Sequence, residues 1–229
     1  IRIVGSLKLN ALSAPVDKTF ADQLRVAAGS RPILLAASTH SPEEQILLKA
    51  SQEVVRAGYP HLLIIAPRHS DRSQDIARLM PQAAHRSKNQ LPLLGDNHFL
   101  ADTFGEMNSL VTAADIVILG GSFVPKGGHN PLEIAALSTP LITGPSQFKN
   151  KIEFDMLQQY GQCITVKDGA TLVKQLTILL EALRTDGRAI PQDNLDKACA
   201  YVKQACERPT KTARLIIDRL PTQHHPNQN

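Results

Sequence analysis

The most regular feature of the sequence between residues 32 and 166 is an alternation of short apolar runs with amphipathic stretches. Apolar runs without a polar residue at every second position are typical of strands buried on both faces of a parallel sheet. Strands are therefore predicted at Ile33–Ala37, Leu62–Ala66, Phe99–Asp102, Ile116–Leu119, Leu141–Thr143 and Cys163–Val166. The alternation predicts an α/β domain with a Rossmann-like, doubly wound parallel sheet of about six strands.

Helices are predicted between these strands and after them. Ser41, Pro42 and Glu44 have the spacing of a capping box, which predicts a helix that begins there and ends near Gly58. Further helical patterns cover Asp71–Met80, Glu106–Ala114, Leu172–Arg184, Asn194–Cys206 and Lys211–Leu220. We expect one domain over residues 1–220, with a helical C-terminal extension, followed by a polar, disordered tail at 221–229.

Composition narrows the functional classes. With 42% hydrophobic residues the chain can build a packed core, and no apolar run approaches the roughly 18 residues that cross a bilayer. The net charge of +4 favours anionic partners, whereas 4% aromatic residues and no Trp disfavour nucleic acid. The three cysteines lack the spacing of a zinc site or a redox pair. The strand-like opening at Ile1 indicates a piece of a longer protein.

The segment most informative for function is a glycine-rich loop, residues 120–130, which follows the predicted strand Ile116–Leu119. It contains two Gly-Gly pairs and leads into a helix predicted to begin with Asn130 as N-cap and Pro131 in the first position. Glycines let backbone N–H groups approach an anion, and a helix start supplies further donors. The loop is neither a Walker loop nor a GxGxxG fingerprint, so it predicts a phosphate cradle of another type.

Other polar residues at strand ends fit two interpretations each. Glu133 either completes a capping box with Asn130 or accepts the hydroxyls of a ribose, and His129 either contacts a phosphate or is merely exposed. Arg68 either binds a phosphate or pairs with a surface acid. Asp102 or Thr103 either caps the next helix with Glu106, or the backbone of Phe104–Glu106 surrounds a base.

Taken together, these motifs resemble the 3-deoxy-D-manno-octulosonic acid (Kdo) transferases of lipopolysaccharide synthesis. The resemblance runs from GSLKLN to about Gly161 and rests on Ala37-Ser38-Thr39-His40, Ala66-Pro67-Arg68-His69, Asp102-Thr103-Phe104-Gly105-Glu106 and GGSFVPKGGHNPLEIAAL. That family consists of inverting glycosyltransferases with two facing Rossmann-like domains, the GT-B arrangement. The resemblance implies that this chain is the C-terminal half, which binds the sugar donor CMP-Kdo.

The resemblance also implies a set of nucleotide-binding residues. Cytidine monophosphate is expected to contact Pro67, Arg68, Phe104, Gly105, Glu106, Asn130, Pro131, Leu132 and Glu133, with Ser38, Lys126, Gly127 and Gly128 as weaker candidates for the phosphate or the sugar. Ala101 and Ile134 depart from the family's usual Gly and Pro. Both residues lie beside the expected contacts, so these departures affect the expected local geometry of the loops and not the expected activity.

The remaining implications concern parts outside this chain. In the family, the N-terminal half carries a membrane anchor, the site for the lipid A precursor and the carboxylate general base. No catalytic residue, metal or other cofactor is therefore expected here, and the isolated chain should be soluble and inactive. The full protein is expected at the cytoplasmic face of the inner membrane of a Gram-negative bacterium. The alternatives are half of a nucleotide-sugar epimerase, which prefers a uridine donor, and a non-catalytic nucleotide-binding module.

Overall fold

The computed structural model describes residues 15–207, which form seven strands and eight α-helices. The strands are β1 (Ile33–Thr39), β2 (Leu62–Pro67), β3 (Ala84–His85), β4 (His98–Leu100), β5 (Ile116–Leu119), β6 (Leu141–Thr143) and β7 (Cys163–Thr165). The helices are α1 (Lys18–Ala28), α2 (Glu43–Arg56), α3 (Ser73–Leu79), α4 (Met107–Ala113), α5 (Leu132–Ala135), α6 (Lys151–Gln159), α7 (Gly169–Asp186) and α8 (Gln192–Cys206).

The strands form one parallel sheet in the order β3-β4-β2-β1-β5-β6-β7. Strand β1 lies between β2 and β5, so the chain builds outward on one side of β1 and then on the other. Such a reversal is a topological switch point, where the loops beyond the carboxyl ends of two neighbouring strands diverge and leave a crevice. The predicted doubly wound sheet is confirmed, and its ligand crevice is expected beyond β1 and β5.

Both faces of the sheet are buried, which explains the continuous apolar runs in the sequence. Along β1, Ile33 and Leu35 belong to one core, while Leu34 and Ala36 belong to the other, and all four are 0% exposed. Helices α1, α4, α5 and α6 contribute to the first core, and α2, α3 and α7 contribute to the second. A strand that is buried on both faces needs apolar residues at successive positions, so its sequence cannot alternate between apolar and polar residues.

The sheet has seven strands rather than about six, because β3 has only two residues and leaves no recognisable apolar run. Helices α1 and α6 were not predicted either. The capping box at Ser41 is wrong: α2 begins at Glu43, Pro42 occupies the cap position, and no side chain caps the helix. The carboxylate of Glu44 is instead bonded to Thr39 and to Arg72.

The helices of the predicted C-terminal extension that the structure describes, α7 and α8, pack into the two cores of the domain. Leu172 and Leu176 of α7 are buried beside α2, and Ala198 and Val202 of α8 are buried on the opposite face of the sheet. Helix periodicity identifies such helices correctly, but it does not show which surface they cover. The predicted helix Lys211–Leu220 and the tail at 221–229 lie outside the described residues.

Candidate functional site

The loops after β1 and β5 are held in direct contact at the switch point. The N–H of Gly120 donates to the carbonyl of Ala37 at 2.8 Å, and a Cβ on Gly120 would lie only 2.4 Å from the carbonyl oxygen of Ser38. Ser38 itself has a φ of 55°, a left-handed conformation that is uncommon for a residue with a side chain. Backbone strain of this kind is concentrated at functional sites, which agrees with the expected crevice.

A buried carboxylate organises the glycine-rich loop. Glu43 is 0% exposed, and its two oxygens accept the backbone N–H groups of His40, Gly121, Ser122 and Phe123 at 2.8 to 3.0 Å. An internal anion therefore occupies the donors around the first Gly-Gly pair, where the sequence predicts a phosphate. In the sequence Glu43 fits a helix start, but an acid so close to a strand end was also a signal for this contact.

The second Gly-Gly pair also uses its donors internally. The N–H of Gly127 donates to the Ser146 hydroxyl at 2.9 Å, and the N–H of Gly128 donates to the carbonyl of Gly121 at 2.8 Å. A Cβ on Gly128 would lie 2.8 Å from the ring of Phe154, so close packing also requires glycine there. Contacts of Gly127 and Gly128 with a ligand stay predictions, and they cannot use these two N–H groups without breaking bonds.

Arg68, Asn130 and Glu133 come together beside this loop. The side-chain Oδ1 of Asn130 accepts the N–H of Leu132 at 3.1 Å, and its Nδ2 donates to the Glu133 carboxylate at 3.3 Å. Burial raises the pKa of Glu133, while Asn130 and the positive charge of Arg68 partly offset that increase. The guanidinium of Arg68 is exposed and makes no hydrogen bond within residues 15–207. A cation without a hydrogen-bond partner in that range therefore lies within electrostatic range of a half-buried carboxylate.

The predicted helix start at Asn130 needs correction. Helix α5 begins at Leu132, Pro131 holds the cap position, and α5 has only four residues. Glu133 bonds to the side chain of Asn130 rather than to a backbone N–H, so the reciprocal capping box is absent. The carboxylate thus keeps acceptor capacity for a ligand.

A histidine cluster that the sequence analysis did not select lies next to this group. The Nε2 atoms of His40 and His129 are 2.9 Å apart, and the ring of His69 meets that of His40 edge-on at 5.7 Å. Burial, with neighbouring cationic groups, lowers the pKa of His129 to about 4. His129 is half-buried rather than exposed. The sequence does not indicate that His129 contacts His40, because His40 follows β1 whereas His129 lies in the loop after β5.

The loop after β4 contains the other predicted contacts. Arg86 donates to the Glu106 carboxylate at 2.6 and 2.9 Å, and Thr103 donates to the same group. Neither Asp102 nor Thr103 caps α4, since Asp102 accepts from Ser87 instead. The side chain of Glu106 is therefore occupied, and its backbone carbonyl accepts the N–H of Leu110 at 3.0 Å, which leaves its backbone N–H for a ligand. Phe104 is 67% exposed and Gly105 has a φ of 85°, so both remain accessible.

Residues 15–207 contain no group of three metal-ligating side chains placed to hold an ion. None of the helices in this range is long and apolar enough to span a membrane.

Comparison with known proteins places this chain beside one enzyme family. A 3-deoxy-D-manno-octulosonic acid transferase from Haemophilus influenzae is 39% identical over 183 residues, which are 76% of this chain and 42% of that protein. The chain spans about two fifths of the length of the curated relatives it matches. No protein-family model matches the sequence.

Solved structures agree with this relationship. The C-terminal CMP-Kdo binding domain of WaaA from Acinetobacter baumannii superposes with a TM-score of 0.68 at 26% identity, covering 81% of this chain and 98% of that domain. A glycosyltransferase from Rickettsia africae shares the fold alone, with a TM-score of 0.60 at 13% identity over 92% of this chain and 55% of that one. The resemblance to the C-terminal half of a GT-B glycosyltransferase is thereby confirmed.

The internal role of Glu43 is testable by Glu43→Gln. A glutamine has one accepting oxygen and turns an NH₂ group towards N–H donors, so we expect a loss of about 3 kcal/mol in the free energy of unfolding. Chemical denaturation measures this value. Glu53→Gln on the same helix is the matched control and should change stability by less than about 0.5 kcal/mol. Equal stability of the two variants would refute the structural role of Glu43.

Proposed function

We propose that this chain, a relative of the Kdo transferases, is the donor-binding half of an inverting glycosyltransferase and binds CMP-Kdo. The observation that carries the proposal is the grouping of Arg68, His129 and Glu133 at the carboxyl ends of β2 and β5, beside the switch point. Open α/β sheets bind nucleotides at this place. The similarity to a domain described as binding CMP-Kdo supports the choice of donor.

In this proposal Arg68 binds the phosphate. Its guanidinium is free and has two N–H groups arranged to meet two phosphate oxygens. When a sugar hydroxyl attacks the anomeric carbon of Kdo, the bond to the phosphate oxygen breaks and negative charge grows on the departing CMP. A fixed cation stabilises that charge. Since α5 has only four residues, its dipole contributes less than Arg68 does.

Glu133 is assigned to the ribose. A carboxylate with free acceptor capacity can take hydrogen bonds from two neighbouring hydroxyls at once. Asn130, Pro131 and Leu132 hold it in position, because the Asn130 side chain connects the start of α5 to the Glu133 carboxylate. Pro67, Phe104, Gly105 and the Glu106 backbone are assigned to the nucleoside. Ser38 and Lys126 are assigned to the phosphate or the sugar.

In this proposal the acceptor site, the membrane anchor and the general base lie in the rest of the protein. The base takes the proton from the attacking hydroxyl of a lipid A precursor, at the cytoplasmic face of the inner membrane. Because Arg68 supplies a positive charge at the phosphate, we do not expect a divalent cation to be required.

The assignment of Arg68 is tested by calorimetric titration of the chain with CMP and with UMP. We expect CMP to bind more tightly than UMP, and Arg68→Ala to weaken CMP binding about 10- to 100-fold, the range for losing a charged hydrogen bond. Arg78→Ala is the control, since Arg78 is exposed and pairs only with Asp75 of its own helix. A preference for UMP would favour an epimerase, and equal effects of the two variants would refute the role of Arg68.

The assignment of Glu133 is tested with CMP and 2′-deoxy-CMP. We expect the wild-type chain to prefer CMP about 10-fold and Glu133→Gln to lose most of that preference, because the preference comes from a ribose hydroxyl. Glu153→Gln on α6 should leave the preference unchanged. If Glu133 only stabilised its own helix, the substitution would instead weaken the binding of both nucleotides equally and lower the melting temperature of the protein.

The location of the general base outside this chain is tested by turnover. We expect no transfer from CMP-Kdo to a lipid A precursor by this chain alone, and activity once the N-terminal half is supplied. Activity should persist in EDTA. Turnover by the isolated chain would overturn the location of the base, and loss of activity in EDTA would overturn the role given to Arg68 in place of a cation.

A further inference from the structure

The contact between His40 and His129 requires the two rings to share a proton. Their Nε2 atoms are 2.9 Å apart, their rings are nearly parallel at 4°, and their centroids are 5.1 Å apart. In such a contact one nitrogen must donate and the other must accept. The two rings therefore act as a unit, here named the histidine pair, and the ring nitrogens outside their contact are the two Nδ1 atoms.

The number of protons on the histidine pair determines what it offers to a ligand. A neutral pair carries two protons: one in the Nε2 contact and one on the Nδ1 of the accepting ring. The other Nδ1 is then bare. One further proton gives the pair a charge of +1 and an N–H at both Nδ1 atoms. Within residues 15–207 neither Nδ1 has a hydrogen-bond partner, so both are available.

The charges around the pair are mostly positive. His129 faces His69, Arg68 and Lys149, and His40 faces His69, Lys126 and Arg72. The nearby carboxylates are compensated in part or in full: Glu43 by four backbone N–H groups, Glu44 by Arg72, and Glu133 by Asn130 and the field of Arg68. Burial and these cations lower the pKa of both histidines, so the pair is neutral near pH 7.

We propose that the histidine pair is an anion-binding site that takes up one proton from solvent when an anionic group of the donor occupies it. This inference rests on the proposed function and extends it to the protonation of the donor complex. The bound anion supplies the negative charge that the cationic surroundings lack, and the added proton gives the anion a second N–H donor. The ligand chemistry is an oxyanion, either the phosphate of the nucleotide or the carboxylate of the sugar acid.

Proton uptake makes binding dependent on pH. Where the pair is neutral in the free protein and protonated in the complex, the association constant falls about 10-fold for each unit of increasing pH. The ligand itself must not titrate in this range. The methyl phosphodiester of CMP fulfils this condition for the phosphate, and free Kdo, whose carboxylate stays ionised near neutral pH, fulfils it for the sugar acid.

The test is calorimetric titration of the chain with each ligand at about pH 6, 7 and 8, in two buffers with different enthalpies of ionisation. The difference between buffers gives the number of protons taken up. We expect uptake of about one proton per bound molecule for the ligand whose anionic group occupies the pair, and close to none in His40→Gln and His129→Gln. His98→Gln is the matched control, because His98 is also half-buried and its pKa is also lowered. It lies at the start of β4, at the amino ends of the parallel strands, whereas the histidine pair lies beyond their carboxyl ends.

The outcomes separate the two proposals. Proton uptake with the CMP diester places the phosphate at the pair, and uptake with Kdo places the sugar carboxylate there. Binding of the ligands without proton uptake overturns the histidine-pair inference and leaves the proposed function standing. Uptake that persists in both histidine variants also overturns the inference. If neither ligand binds at any pH, the proposed function fails, and the inference fails with it.

Discussion

The interaction on which the site depends is the buried carboxylate of Glu43. Its four backbone hydrogen bonds connect the loop after β1, through His40, to the loop after β5, through Gly121, Ser122 and Phe123. These two loops flank the switch point, where the chain leaves the two paired strands in different directions and the loops would otherwise lack mutual support. A buried charge without such partners would be strongly destabilising, so the carboxylate and the loop geometry require each other.

This internal anion also determines which charges remain for a ligand. The glycine-rich loop uses N–H groups of both Gly-Gly pairs on Glu43, on Ser146 and on its own backbone, so those groups have internal partners already. Glu44 and Glu106 are each neutralised by an arginine. The groups left without a compensating partner are largely cationic, with Arg68 foremost. The crevice is thus positive because its acidic side chains are neutralised by internal partners, and not because it contains an excess of basic residues.

The fold was largely predictable from the sequence, because strands buried on both faces have unmistakable apolar runs. Four of the six predicted strands begin and end within one residue of the observed bounds. The predicted helix starts at Ser41 and Asn130 were both wrong: at Asn130 the Glu133 carboxylate bonds to a side chain instead of a backbone N–H, and at Ser41 the acids bond outside their own helix. Capping patterns describe local bonds, whereas Glu43 and Glu44 bond to residues distant in the chain or on another element. The histidine pair was missed likewise, since 89 residues separate its members and only the sheet order brings them together.

Arg68 and the histidine pair represent two different ways to hold an anion in one crevice. A guanidinium is charged at every accessible pH, so in the proposed function Arg68 attracts the phosphate before and after the bond to the sugar breaks. Histidine charge depends on surroundings, and here those surroundings suppress it until an anion arrives. A permanently charged pair beside Arg68 would add repulsion to the empty site and lower its stability. The combination keeps the empty crevice stable and increases its positive charge only when the ligand's negative charge is present.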